Sequence, residues 1–190
     1  MKKIYIARHG ETEMNAKGIW QGQTIDVSLN DEGRKQAKDL ANILKDKSIE
    51  IIYTSPMKRA FETAEIIGDI CNIKTIKENG LIEGHFGVAE GKTKETIGKH
   101  IHIFQRWISL EEENMDVFFE GGESKRQIQK RAIEAINNIL QSPHKNIAVV
   151  CHSMIVRLIL LHLGLSLQKI PNAGYFLLEY DGQNLKIADR

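Results

Sequence analysis

Short apolar runs that end abruptly in charged residues recur along this chain, and residues with helical spacing lie between them. The clearest runs are residues 4–7, 50–53 and 146–150, with a weaker one at 73–76. Their length and β-branched content predict buried strands, and alternation with helices favours a parallel sheet. We therefore expect an α/β fold: a single three-layer domain with a mostly parallel central sheet and helices on both faces.

Helix signals separate the predicted strands. Asn30 is a good N-cap before acidic residues, and the positions after it repeat at helical spacing (Ala37, Leu40, Ala41 and Leu44). Further helices are predicted from Pro56 to about residue 71 and over 94–110, 123–140 and 153–163. In the helix over 94–110, the residues predicted to face inward are Ile97, Ile101, Phe104 and Ile108. Residues 175–180 and 184–188 flank Asp181-Gly182, which predicts a hairpin at an antiparallel edge.

Length and charge restrict the class of protein. The chain has 190 residues and a net charge of +1, which fits one domain, 1–190, and provides no basic stripe for nucleic acid. Residues 154–165 are too short to span a bilayer, and no signal-peptide core develops near the start. Two distant cysteines, Cys71 and Cys151, suit a reducing compartment, so we expect a cytoplasmic protein with neither membrane nor nucleic-acid partner. Oligomeric state stays open.

Polar clusters follow three of the predicted strands. Arg8 and His9 come after the first, Arg59 lies shortly after the second, and His152 follows the run at 146–150. Because ligands of open α/β sheets bind at the carboxyl ends of strands, we expect these side chains to meet at one edge.

Such a group suits phosphate chemistry. Guanidinium groups such as Arg8 and Arg59 match phosphate oxygens in bidentate fashion and neutralise charge in the transition state. A neutral imidazole such as His9 is a competent nucleophile near pH 7. Asn15 adds a donor, and His152, if protonated, adds a third positive one.

The leaving oxygen of a phosphomonoester also needs a proton. Glu83 lies in the glycine-bearing segment 81–87. One carboxyl group there can donate the proton in the first half-reaction and activate water in the second. The carboxyl groups of Glu11, Glu13 and Glu90 are the alternatives for this role.

These motifs resemble those of the histidine phosphatase superfamily, in its phosphoglycerate-mutase-like branch. The resemblance covers nearly the whole chain and keeps the family's order. It lies in Arg8-His9-Gly10-Glu11-Thr12 with Asn15, Gln21-Gly22, Ser55-Pro56-Met57-Lys58-Arg59-Ala60, Glu83 with Glu90-Gly91, Gly121-Gly122-Glu123-Ser124 and Val150-Cys151-His152-Ser153.

The resemblance implies a role for each residue. His9 would be the phosphorylated nucleophile and Glu83 the proton donor, with no metal or other cofactor. The other residues would bind phosphate or line the substrate side (Arg8, Asn15, Gln21, Gly22, Arg59, His152 and Ser153). Two positions depart from the family, which usually has serine or threonine at Cys151 and glycine at Ser153.

The non-phosphate part of the substrate is expected to meet a substrate-facing insertion at about 84–120. Four basic residues there are candidates to bind a carboxylate or second phosphate, although surface charge is the simpler reading (Lys92, Lys94, His100 and Arg106). The aromatic residues Trp107, Phe118 and Phe119 are candidates for either the pocket or the core. His100 and His102 would diverge on a helix, so we predict no metal site.

Three functions are compatible with these motifs. The favoured one is a phosphatase that acts on a small phosphorylated metabolite. The second is a cofactor-dependent phosphoglycerate mutase, which needs enclosing segments to hold off water. The chain is shorter than such mutases and ends directly after the predicted hairpin, which favours the phosphatase. The third is a non-catalytic phosphate-binding module. It is disfavoured because the five side chains needed for the chemistry are all present (Arg8, His9, Arg59, Glu83 and His152).

Overall fold

A computed structural model describes residues 1–167 and 169–188. The strands are Lys2–Arg8 (β1), Ile51–Thr54 (β2), Thr75–Lys77 (β3), Asn146–Cys151 (β4), Tyr175–Tyr180 (β5) and Leu185–Ile187 (β6). The α-helices are Glu13–Ala16 (α1), Asp31–Leu44 (α2), Lys58–Cys71 (α3), Ile101–Ile108 (α4), Lys125–Leu140 (α5) and Ser153–His162 (α6). Within the described residues, no helix combines the length and the apolar character needed to cross a membrane.

The six strands form one sheet in the order β3-β2-β4-β1-β5-β6. The first four in that order are parallel, whereas β5 pairs antiparallel with β1, and β6 antiparallel with β5. The predicted mostly parallel sheet with an antiparallel edge is confirmed. Strand β1 is hydrogen-bonded on both sides, which fixes the segment after it more firmly than an edge strand would.

Alternate residues of the strands pack against two separate helical layers. On one face, Ile6 and Val149 belong to a buried cluster with residues of α5 and α6. On the other, Ala7 and Val150 belong to a second cluster with residues of α2 and α3. This period-two alternation gives the three layers that the sequence predicts.

The N-terminus of α2 follows its sequence signal. The side chain of Asn30 accepts a hydrogen bond from the backbone N–H of Gly33 at 2.8 Å, and the four predicted apolar positions are buried. Helix α3 begins two residues later than Pro56, because the backbone N–H of Lys58 binds the carboxylate of Asp26 at 2.8 Å and so has a partner outside the helix.

The helix predicted over 94–110 is wrong in length, and of its four predicted inward residues Ile97 and Phe104 are buried whereas Ile101 and Ile108 are not. Helix α4 covers only Ile101–Ile108, after a 3₁₀ turn at Gly98–His100. Ile101 and Ile108 are 40% and 36% exposed, whereas Phe104 and Trp107 are buried. The helix turns its aromatic side chains inward because each ring buries more apolar area than an isoleucine.

Candidate active site

The carboxyl ends of β1 and β4 lie side by side, with Arg8 opposite Cys151. His9 and His152 follow these strands directly. The chain leaves β1 towards α2 and one face of the sheet, and leaves β4 through α6 on the other face. A divergence of this kind opens a crevice at the strand ends. A cavity of about 350 Å³ lies there.

The cavity brings together most of the residues singled out in the sequence. Those that line it are Arg8, His9, Asn15, Gln21, Gly22, Arg59, Glu83 and Ser153. His152 lies directly behind His9, with the two ring centroids 5.2 Å apart. The expected convergence at one sheet edge is therefore present.

The imidazole of His9 has a defined tautomer. Its Nδ1 lies 2.6 Å from the carbonyl oxygen of Gly10, so Nδ1 carries the proton and donates it. Burial, and then the charges of Arg8 and Arg59, hold the pKa of His9 well below its usual value. Nε2 is consequently unprotonated, with a free electron pair for attack.

The loop that carries His9 meets α2 in a close contact of backbone with backbone. A Cβ on Gly10 would lie 2.4 Å from the carbonyl oxygen of Gly33, and one on Gly33 would lie 2.0 Å from that of Glu11. The N–H of Gly10 donates to the hydroxyl of Thr63 on α3 at 3.1 Å. The position of the imidazole is therefore set by contacts that only glycine permits.

Two buried guanidinium groups flank His9. Nη1 of Arg8 donates to the carbonyl oxygen of Ile170 at 2.6 Å, and Nη2 of Arg59 donates to that of Gly22 at 2.8 Å. Burial lowers the pKa of Arg8 to about 10 and also lowers the pKa of Arg59. Both remain cations at neutral pH.

The position of Arg59 on α3 leaves it without an ion pair to Glu62 or Glu65. Glu62 binds Arg34 instead, at 2.8 Å. The carboxylate near Arg59 is that of Asp26, 3.9 Å away. The guanidinium therefore points towards the cavity rather than along its own helix.

His152 is buried between the sheet and His9. Its Nε2 lies 2.8 Å from the hydroxyl of Ser55, and its Nδ1 has no partner among the described residues. Burial, followed by the charges of Arg59 and His9, lowers the pKa of His152 well below its usual value. The ring is therefore neutral here, and the condition under which it would add a third positive donor, its protonation, is not met.

Glu83 is the carboxyl group that lines the cavity. Its Oε1 accepts the N–H of Gly84 at 3.0 Å, and its Oε2 accepts that of Met154 at 3.4 Å. Burial is the largest influence on Glu83 and raises its pKa, although hydrogen bonds and Arg59 oppose the shift. A carboxyl group with a raised pKa keeps its proton to higher pH, as a proton donor requires.

Arg131 of α5 holds the segment that carries Glu83. Its guanidinium donates to the carbonyl oxygens of Gly80, Ile82 and Glu83, the last at 2.8 Å. The carboxylate of Glu123 binds the other edge of this guanidinium through two bonds of 3.0 Å. Sequence reasoning missed Arg131, because an arginine on an amphipathic helix looks like surface charge.

Asn15 and Gln21 present amide groups to the cavity. Oδ1 of Asn15 accepts from the backbone N–H of Thr12 at 3.2 Å, and Oε1 of Gln21 accepts from the Thr12 hydroxyl at 3.1 Å. Because the oxygens face the protein, the NH₂ groups remain available to an anion.

The side chain of Glu90 packs closely against the backbone of Gly22. The φ of Gly22 is +53°, and a Cβ at this position would lie 1.9 Å from Oε1 of Glu90. The same oxygen accepts the backbone N–H of Gln23 at 3.1 Å. Glu90 thus fastens the loop whose Gly22 carbonyl holds Arg59, and it does not line the cavity.

The walls beyond the catalytic end are largely apolar. Trp20 packs against Phe86 and Trp107, with ring centroids 5.3 and 5.2 Å apart, and all three line the cavity. Of the aromatic residues considered from sequence, Trp107 lines the cavity, Phe119 is buried in the core and Phe118 is 55% exposed.

The four basic residues considered as further anion ligands lie elsewhere. Lys92, Lys94, His100 and Arg106 are all absent from the cavity wall. Two other cations, Arg157 and Lys169, line it instead. In residues 1–167 and 169–188, no group of three or more His, Cys, Asp and Glu side chains is arranged to hold a metal ion.

A comparison of the sequence with models of known protein families agrees with the geometry of this site. The family model of the histidine phosphatase superfamily (branch 1) matches residues 4–189. The chain belongs to this superfamily.

The relatives of this histidine phosphatase include proteins named as phosphatases and proteins named as mutase-like. It is 36% identical over 160 residues to phosphoserine phosphatase 1 of Hydrogenobacter thermophilus, covering 83% of this chain and 74% of that one. It is also 36% identical to phosphoglycerate mutase-like protein 4 of Arabidopsis thaliana, covering 82% and 68%. The solved structure of Bacillus stearothermophilus YhfR superposes with a TM-score of 0.85 at 26% identity, covering 99% and 96%.

Proposed function

We propose that this histidine phosphatase hydrolyses small phosphomonoesters through a phosphohistidine at Nε2 of His9, without a metal or other cofactor. The observation that carries the proposal is the set of buried donors around His9. Nε of Arg8, Nε of Arg59 and Nδ1 of His152 are buried and have no partner among the described residues. The two guanidinium N–H donors without partners point to an anionic ligand, and a phosphate group supplies acceptors for both.

In the first half-reaction, Nε2 of His9 attacks phosphorus and the bond to the ester oxygen breaks. Arg8 and Arg59 neutralise the charge on the equatorial oxygens, an effect that costs no reorganisation because both side chains are already in place. Glu83 gives its proton to the departing oxygen. The raised pKa of Glu83 keeps this proton available to higher pH than an ordinary carboxyl group would.

In the second half-reaction, the Glu83 carboxylate takes a proton from water, and the water oxygen attacks phosphorus. The phosphorus–nitrogen bond breaks, inorganic phosphate leaves, and the electron pair returns to His9. Glu83 is then protonated and His9 neutral, so the site is ready for another turnover.

The segment 84–120 is proposed to face the organic part of the substrate. Phe86, Trp107 and Ile108 line the cavity from this segment, and Ser153 and Met154 line it from α6. These apolar side chains would contact the carbon atoms of a small substrate. A cytoplasmic location also stays a prediction, with which the free thiols of Cys71 and Cys151 are compatible.

The test is to trap the phosphoenzyme. Purified protein is mixed with an aryl phosphate, quenched in alkali and digested, and the peptide that contains His9 is analysed by mass spectrometry. We expect a phosphoryl group on His9 together with release of inorganic phosphate. His9→Asn should lose both, whereas His102→Gln, an exposed histidine, should keep both.

Two results would overturn the proposal. Equal phosphate release by His9→Asn and the parent would exclude a covalent intermediate on this residue. Transfer of the phosphoryl group from one hydroxyl to another of 3-phosphoglycerate, without release of inorganic phosphate, would instead identify a mutase.

A further inference from the structure

Arg157 lies at the distal end of the cavity and is not used by the chemistry above. It projects from α6, lines the cavity and is only 7% exposed. Its Nε donates to the carbonyl oxygen of Leu167 at 2.9 Å, and its Nη2 donates to that of Ile108 at 3.1 Å. These bonds use two of the five N–H groups of a guanidinium.

No acidic side chain in residues 1–167 and 169–188 lies within ion-pair distance of Arg157. Burying a cation without a counterion is costly, and two neutral carbonyl groups compensate only in part. A buried guanidinium on a cavity wall is therefore a candidate to bind an anionic ligand, although the charge of Glu83 also acts on Arg157.

The register of α6 relates Arg157 to the catalytic end. The backbone N–H of Met154 contacts Glu83, and Arg157 follows it by three residues. Residues three apart lie on one helix face, about one turn or ~5 Å along the axis. Arg157 thus stands one turn of α6 farther from the reacting phosphate than the Glu83 contact.

The charges on the cavity wall exceed what one phosphate group balances. Arg8 and Arg59 match a phosphate dianion. Arg157 and the exposed Lys169 add two further cations to the wall, while Glu83 is the single carboxyl group on it among the residues that the structure describes. The sum favours a substrate with negative charge beyond its phosphate.

A purely structural role has a counterpart in this same protein. Lys125 is completely buried, and its Nζ donates to the carbonyl oxygens of Arg106 and Trp107 at 3.1 and 2.7 Å. Lys125 and Arg157 together bind three successive carbonyl groups at the C-terminal end of α4. Only Arg157 also lines the cavity, which makes Lys125 a matched control.

We propose that Arg157, assisted by Lys169, forms a second anion-binding subsite, and that the preferred substrates are phosphomonoesters with a carboxylate a few bonds from the phosphate. The subsite rests on the proposed phosphatase function. A carboxylate fits because its two oxygens can meet the remaining N–H groups at the end of the guanidinium.

The test compares specificity constants for substrate pairs that differ in the second anion. The carboxylate pairs are O-phosphoserine with O-phosphoethanolamine, and 3-phosphoglycerate with glycerol 3-phosphate. A bisphosphate pair, fructose 1,6-bisphosphate with fructose 6-phosphate, distinguishes a second phosphate from a carboxylate. We expect a preference of about 10- to 100-fold for the carboxylate partner, the range of a charge-assisted hydrogen bond.

The variants then locate the preference. Arg157→Gln should lower the ratio within each carboxylate pair about tenfold or more, mainly through KM, and Arg157→Lys should restore part of it. Lys169→Gln should lower the ratio a few-fold. Lys125→Met should leave the ratio at the parental value even where it changes stability, which circular dichroism and thermal unfolding monitor.

Several results would overturn the subsite. These are a parental ratio near one, a preference confined to the bisphosphate pair, or a ratio that Arg157→Gln and Arg157→Lys leave unchanged. If Arg157→Gln does not fold, unchanged ratios in both Arg157→Lys and Lys169→Gln overturn it equally. Loss of the proposed phosphatase function itself would look different, because hydrolysis would then be missing for every substrate, aryl phosphates included.

Discussion

The rings of His9 and His152 meet edge to face, with centroids 5.2 Å apart and planes inclined by 62°. Each ring is buried beside the guanidinium groups of Arg8 and Arg59, and the pKa of each is well below its usual value. The two histidines therefore enter the reaction neutral. A phosphate dianion beside them favours protonation of His152, which adds a positive donor when charge develops on the phosphoryl group.

The pH dependence should reflect His9 and Glu83 in opposite directions. In the proposed mechanism His9 acts without the proton on Nε2, and its lowered pKa should keep it active as pH falls below 7. Glu83 acts with its proton, and activity falls as pH rises through the raised pKa of Glu83. We therefore expect the ratio of kcat/KM between the parent and Glu83→Gln to decrease with rising pH on an alkyl phosphate. Ionisation of the substrate cancels in this ratio, and a ratio independent of pH would refute the assignment.

Glu83→Gln should separate the two half-reactions. With an aryl phosphate, whose leaving group needs little protonation, the first step should survive while the hydrolysis of phosphohistidine slows by about 10²- to 10⁴-fold. Stopped-flow measurements should then show a burst of phenol close to one equivalent, followed by slow turnover. A linear trace with parental turnover would mean that another group activates water.

Arg59→Lys should lower the catalytic activity far more than expected from a substitution that keeps the positive charge. Lysine cannot hold the carbonyl oxygen of Gly22 and a phosphate oxygen at once, because it lacks the planar fork of donors. We expect kcat/KM to fall by about 10²- to 10³-fold, with a smaller effect on thermal stability. Arg34→Lys is the control, since Arg34 pairs with Glu62 on the outer surface.

Chelation should leave the activity intact. Arg8 and Arg59 supply the positive charge that a metal ion would otherwise bring to the phosphate oxygens. Activity after dialysis against EDTA should match that of the untreated protein, and vanadate should inhibit. Loss of activity that is restored by added Mg²⁺ or Zn²⁺ would contradict the mechanism.

Lys125 should make stability depend on alkaline pH. Burial, and then the charge of Arg157, lowers the pKa of Lys125 from 10.5 to about 8, so the unfolded chain binds more protons between these values. The free energy of unfolding of the parent, relative to Lys125→Met, should therefore rise by about 1–3 kcal/mol between pH 8 and pH 10.5. Urea unfolding at several pH values measures it, and a flat or falling difference would exclude the shift.

The sequence predicts the convergence of His9, Arg59 and His152 at one edge of the sheet, which the structure shows. His9 and His152 directly follow strands recognisable from their apolar runs, and Arg59 lies on a helix after the strand between them. Strand adjacency then brings the three together, whatever the details of the loops. Glu83 was identifiable only through its motif, since several other carboxyl groups were equally plausible by charge.

The distal end was not predictable in the same way. On α6, residues 154–160 are all buried, so no polar face distinguishes Arg157 from its apolar neighbours. For α4, the predicted inward face included Phe104, which is buried, but also Ile101 and Ile108, which are exposed, and it did not include the buried Trp107. Both errors arise because the cavity wall is made of segments distant in the sequence, whose packing no local periodicity reports.

The contact between Gly10 and Gly33 also bears on how this enzyme could be altered. Main chain meets main chain there, so enlarging either residue would displace the nucleophile together with its whole loop. New substrate preferences therefore have little room to arise beneath the imidazole. Selection experiments should randomise the opposite wall, at Trp20, Trp107 and Ile108, where a change of side chain reshapes the binding volume and leaves the reacting nitrogen in place.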